Sequence, residues 1–176
     1  MNKKIIKLDE RSGSTMQLRN NHKIPVVLYG FNVRKSISLC VENEIKNTLN
    51  KLGKFVHSTL FEVHVNERAY TCIIKGIERH AVSEEILHMD FQSISENEEF
   101  MMYCPINIIN KEKCEALKSK SAMFVPNPVV EIRCSLKNFV SSVDIDASNL
   151  SKGQKVHTKD IENISFVNKS MLCAIR

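Results

Sequence analysis

The sequence predicts a mostly β protein, a small barrel-like domain followed by a second β domain. Three observations lead there. Short runs of alternating apolar and polar residues dominate the chain, each about the length of a strand. Only one segment of the first half, between Val41 and Leu52, carries clear helical spacing. A polar, acidic stretch at residues 93–99 then breaks the alternation, as a linker between two domains would. With 176 residues, 43% of them hydrophobic, the chain has enough apolar material to fill real cores.

Taken in order, the first informative segment is RNNHKIPVVLYG, residues 19–30. Arg19, His22 and Lys23 form a polar basic loop. Pro25 then starts an apolar strand, Val26-Val27-Leu28, closed by Tyr29-Gly30; at a strand's first residue proline's missing donor costs little. Ile37, Leu39 and Val41 alternate with Ser38 and Cys40 as in a half-buried strand. Val41, Ile45, Leu49 and Leu52 follow helical spacing, and Gly53 stands where a C-cap belongs. Leu60, Val63 and Val65 lead through a turn at Asn66-Glu67-Arg68 into Tyr70, Cys72 and Ile74, the pattern of a hairpin. Leu87, Met89 and Phe91 alternate with His88, Asp90 and Gln92. The expected domains are 1–92 and 93–176. In the second, strands are expected at 100–109, 129–136, 140–145 and 171–175, with a charged loop at 110–120 and Pro126 and Pro128 just before a strand. No internal repeat is present.

The net charge is only +5, but residues 1–41 hold eight Lys/Arg against two Asp/Glu. The rest of the chain is nearly balanced. A basic end suits a polyanionic partner, and also an ordinary solvated surface. Six scattered cysteines contain no C-x-x-C pair, which argues against a zinc ribbon and for free thiols in a reducing compartment. The start, MNKKIIKLDERSG, has no signal-peptide core, and no stretch approaches a membrane span, so a cytoplasmic protein is expected.

The sharpest chemical feature is Arg79-His80 followed by Leu87-His88-Met89-Asp90-Phe91. In a strand, His88 and Asp90 share one face while the apolar trio anchors the other. An imidazole and a carboxylate outward can read base edges, with Arg79 supplying affinity; the same pattern also suits a plain solvent-facing strand. Tyr29, at a strand end, offers a ring for a ribose or base, or simply caps the core. The spacing H-x₇-H-x-D matches no common metal signature, and five glycines form no phosphate-cradling loop. No cysteine sits in a nucleophile elbow. No cofactor, metal or catalytic residue is expected.

The segments HKIPVVLYG, ERH and LHMDF, in that order, resemble the bacterial ribosomal protein L-twenty-five family. VEIRCSLKNFVSSVDIDASNLSKGQKVHTKDI is similar to the second β domain of its long form, the CTC or general-stress-protein subfamily. The resemblance covers nearly the whole chain. It implies a six-stranded β-barrel with one or two short helices, related to the anticodon-binding domain of glutaminyl-tRNA synthetase, and then an all-β or mostly-β domain. It also implies a structural, non-enzymatic role. Members bind 5S rRNA at a non-Watson–Crick internal loop, in the central protuberance of the large ribosomal subunit, beside other 5S-associated proteins. The RNA-facing positions it implies here are Arg19, Lys23, Tyr29, Arg79, His88 and Asp90, with Arg11 and Lys75 as further positions. His80 matches the motif.

The chain also departs from the family. SGSTMQL replaces a loop richer in Lys and Arg, Ala81, Ser83, Glu84 and Glu85 stand where proline and basic residues are usual, and NKEKCEALKSK replaces a glycine-rich loop. Fewer cations near phosphates should weaken binding and flatten its salt dependence. The alternative is a stress-response or protein–protein adaptor with little ribosome binding. Residues 94–176 carry eleven Lys/Arg and ten Asp/Glu, so charge does not say what the second domain touches.

Overall fold

The computed structural model describes residues 3–33, 37–42, 45–118, 121–162 and 164–175. It divides the chain into two compact units, Met1–Glu98 with Ser135–Lys137, and Glu99–Cys134 with Asn138–Arg176.

The first unit contains β1 (Lys4–Glu10), α1 (Thr15–Asn20), β2 (Lys23–Gly30), β3 (Ile37–Glu42), α2 (Ile45–Leu52), β4 (Phe61–Val65), β5 (Arg68–Arg79) and β6 (Ile86–Ser93). The strands close into a six-stranded barrel in the order β1-β3-β2-β6-β5-β4. Two pairings are parallel, β1 with β4 and β2 with β6; the others run antiparallel. The expected six-stranded barrel is therefore what forms. Period-two alternation fills its interior, with Ile24, Val26 and Leu28 from β2, Phe61, Val63 and Val65 from β4, and Met89 and Phe91 from β6. Phe61 and Phe91 meet edge to face, centroids 5.9 Å apart at 88°.

The helical spacing around residue 45 is real. Ile45 and Leu49, on one face of α2, join the interior cluster, and Gly53 follows at φ +52, the left-handed conformation a helix end favours. Val41, expected to open that helix, belongs to β3 instead.

Three further readings of the first unit need correction. The segment after Gly13 is a helix rather than loop: Ser14 accepts from the Gln17 backbone N–H while the Gln17 side chain accepts from Ser14 N, a capping box. Arg19 consequently sits on α1. Lys23 is the first residue of β2, so Pro25 lies third in its strand rather than at its start. Pairing with β6 begins at Val26, one residue later, so the missing N–H falls where that neighbour has not yet joined. In β6 it is Ile86 that is buried, while Leu87 is only half-buried. The cause is an irregularity opposite, where Glu78 pairs with His88 but Arg79 pairs with Ile86.

The acidic linker is shorter than its composition suggests. Ser93 ends β6, Ser93, Ile94 and Ser95 are buried, and Ile94 N donates to Thr71 O at 2.9 Å; the exposed run is 96–99.

The second unit holds β7 (Phe100–Ile109), α3 (Glu115–Lys118), β8 (Met123–Phe124), β9 (Val129–Cys134), β10 (Val143–Asp146), β11 (Lys155–His157), β12 (Ser165–Phe166) and β13 (Met171–Ile175). They form a four-stranded sheet, β10-β7-β9-β12, and a three-stranded one, β11-β13-β8. Cys114, Ala147 and Ile175 form a buried cluster backed by Leu117, Met123 and Leu150. The charged segment at 110–120 is thus not a plain loop, because Cys114 and α3 tie it into a core; residues 119 and 120 lie outside the described residues. So do Arg34 and Lys35 of the basic end.

Candidate nucleic-acid interface

The register of β2, β6 and β5 builds one outward-facing strip. Val26 and Leu28 point inward, so Lys23, Val27 and Tyr29 carry the opposite parity. Across the ladders Asp90 lies between Val27 and Gly76, Tyr29 beside Gln92, and Glu78 beside His88. Met89 and Phe91, fully buried, hold β6 in place from beneath. The imidazole and carboxylate therefore do face outward, on a rigid wall.

They also engage each other. His88 Nδ1 stands 3.2 Å from Asp90 Oδ1, with the side chains 28% and 42% exposed, open enough to meet a ligand. The other carboxylate oxygen, Oδ2, leans across to β5. A Cβ placed on Gly76 would lie 3.1 Å from it. On the β2 side, burial and then the negative charge of Asp90 push the Tyr29 phenol above its ordinary value of 10.0, so Tyr29 stays a neutral donor within the field of that carboxylate.

The cations are arranged around this centre, and several are already occupied. Lys23 Nζ lies 2.8 Å from Asp9 Oδ2. Arg79 Nη1 donates to Glu84 O at 3.2 Å, using one of its guanidinium donors to hold the β5–β6 loop. His80 serves the same loop, its Nδ1 accepting from Ser83 N at 3.2 Å and Val82 N at 3.4 Å. That gives His80 a structural task. Lys75 is half-buried at the bulge where Ile74 and Gly76 pair with Phe91 and Asp90.

Arg11 and Arg19 stand off the strip, on the β1–β2 connection. Arg11 Nε donates to Gly13 O at 3.4 Å. α1 packs on β2 with Leu18 buried, which seats the exposed Arg19 near the Lys23 end of the strip. Of the eight predicted positions, the ladders bring Lys23, Tyr29, His88 and Asp90 onto this face; Lys75 is the bulged residue of β5, and Arg79, paired with the buried Ile86, ends that strand on the opposite parity.

Gln92, Gly76 and Glu78 share this face and were not among the expected site residues. The first was legible, since the parity that turns His88 and Asp90 outward continues to residue 92. The other two depend on which residues of β5 lie opposite, and a bulge hides that from sequence. Among the described residues no group of three or more His, Cys, Asp or Glu is placed to hold a metal, and no helix is long and apolar enough to cross a membrane.

Comparison with known proteins completes the picture. Residues 6–91 match the family model described as "Ribosomal L25p family", and residues 99–175 the one described as "Ribosomal protein TL5, C-terminal domain". "Large ribosomal subunit protein bL25" of Anaplasma phagocytophilum is 30% identical over 161 residues, covering 91% of this chain and 75% of the relative. The protein so described from Ehrlichia chaffeensis is 28% identical with the same coverage. That from Hydrogenovibrio crunogenus is 29% identical over 157 residues, 89% of this chain and 80% of the relative.

Proposed function

Because the chain belongs to the L25p family of bacterial ribosomal proteins, in the two-domain form with a TL5-type second domain, we propose that its barrel grips 5S rRNA within the large ribosomal subunit. Its role is structural and ribosome-associated, not enzymatic. In this reading residues 1–92 form the RNA-gripping domain and residues 93–176 a second, β domain.

One observation carries the reading: His88 and Asp90 stand part-exposed and 3.2 Å apart in the middle of a three-stranded strip. An irregular internal loop widens the grooves of an RNA duplex and turns base edges outward, where such a strip can reach them. The Asp90 carboxylate accepts from exocyclic amines, Tyr29 packs on the backbone sugar, and Arg79, Lys75, Lys23, Arg19 and Arg11 meet phosphates around them. A carboxylate at the centre of such a surface repels phosphate, so it is tolerated where it is matched to a specific donor. This gives a division of labour, with Asp90 and His88 for selectivity and the cations for affinity.

The test is a filter-binding titration of the full chain against 5S rRNA with its internal loop intact and with that loop replaced by regular duplex. Tighter binding to the intact loop is expected. Equal binding to both, together with absence from sedimented large subunits at low salt, would point to a protein–protein adaptor instead.

A further inference from the structure

Gly76 borders the bulge of β5, but its backbone conformation does not require glycine. Unlike Gly13, Gly30, Gly53 and Gly153, it has no positive φ. It lies inside the longest strand of the barrel, where glycine weakens a strand and where close approach of another group is a usual reason to find one. The group that approaches is Asp90. Gly76 is its ladder partner, and all three nearest atoms to a Cβ built at Gly76 belong to it: Oδ2 at 3.1 Å, Cβ and Cγ at 3.8 Å.

The two carboxylate oxygens thus have different surroundings. Oδ1 lies 3.2 Å from His88 Nδ1, on the same strand. Oδ2 rests over the bare backbone of the neighbouring strand. A Cβ at position 76 would press on Oδ2 and make the carboxylate give by a few tenths of an ångström, altering its contact to His88 as well.

We propose that Gly76 is a positioning residue for RNA selectivity: its missing Cβ lets the Asp90 carboxylate lie across to β5, Oδ1 beside His88 and Oδ2 presented to a donor on the RNA. The inference rests on the RNA-binding reading above.

Gly76→Ala separates a positioning role from a structural one, because the two move observables in opposite directions. Alanine relieves the strand of a glycine, so thermal stability should hold or rise. Binding to 5S rRNA with its internal loop should fall by about three- to tenfold, and the same substitution in an Asp90→Ala background should add nothing. The His88 ring resonances should shift in Gly76→Ala, reporting the displaced partner directly.

If wild type fails to distinguish the intact loop from regular duplex, the RNA reading itself is wrong. If wild type distinguishes them and Gly76→Ala does so equally well, the positioning role is overturned. It is also overturned if the loss persists undiminished without Asp90, or if Gly76→Ala does not fold, since position 76 would then serve the barrel rather than the carboxylate.

Discussion

Lys23 Nζ and Asp9 Oδ2 lie 2.8 Å apart, so one of the cations expected to meet phosphate already faces a carboxylate of its own chain. The pair is partly exposed, which makes its contribution to stability small, yet its effect on a polyanion is direct. A phosphate must compete with Asp9 for the ammonium and also suffers its repulsion. Asp9→Asn is therefore expected to tighten 5S rRNA binding and to steepen the dependence of log K on log salt by roughly one unit of charge. Unchanged affinity and slope across a salt titration would mean that Lys23 does not meet phosphate.

Arg79 and Asp90 should fail differently. Arg79→Ala removes a guanidinium from the edge of the strip and should cost ~1–3 kcal/mol of binding, with a similar penalty for every loop variant. Asp90→Ala should lower affinity less but flatten the differences between loop variants, because the lost group is an acceptor matched to a particular base edge. Competition titrations with a panel of loop sequences read both outcomes. Identical rank orders for wild type and Asp90→Ala would remove Asp90 from base recognition.

The end of β2 offers a stability test. Gly30 takes φ +107, and a Cβ there would sit 2.5 Å from Ser93 O, a backbone atom with no room to swing aside. That same carbonyl accepts from Phe31 N at 3.1 Å. Gly30→Ala must strain the backbone and displace the end of β6, and should cost at least about 2 kcal/mol in urea unfolding. A variant as stable as wild type would show that this corner is not held as described.

What the sequence made legible follows from what each signal depends on. Strands were readable where burial on one face imposes period two, as along the first half of β7, or where a short apolar run is buried throughout, as in β13; both have the predicted limits, Phe100–Ile109 and Met171–Ile175. The outward pair His88 and Asp90 was readable for the same reason. α1 was missed although Ser14 and Gln17 spell its capping box, because six residues give too few turns for periodicity to appear. β8, β11 and β12 span two or three residues each, too short to alternate at all. Charge counts showed a basic end but not that Lys23 faces Asp9, since pairing is set by register. The Gly76–Asp90 apposition is hidden for that reason too, with a bulge shifting β5 by one residue.

The thiols supply a prediction about pH. Cys72 in the first unit and Cys104 in the second are fully buried, and burial pushes each up to about 12 from an ordinary value of 9.0. Below pH 9 both folded and unfolded chains keep these protons, so the thiols contribute their full share to stability. Above it the unfolded chain releases them while the folded chain cannot. Stability should then fall by ~1.4 kcal/mol per pH unit for each such thiol, until the pH reaches the folded value. Tyr29, also raised, pulls in the same direction above its ordinary 10.0, so total alkaline sensitivity does not isolate a cysteine. Cys72→Ala does. It leaves a small cavity that lowers stability at every pH, but it should make unfolding of the first unit less steeply dependent on pH between about 9 and 11 than in wild type. Parallel pH profiles for the two proteins in urea unfolding would show that Cys72 ionises as readily in the folded barrel as outside it, contrary to its burial among Phe61, Ile74 and Phe91.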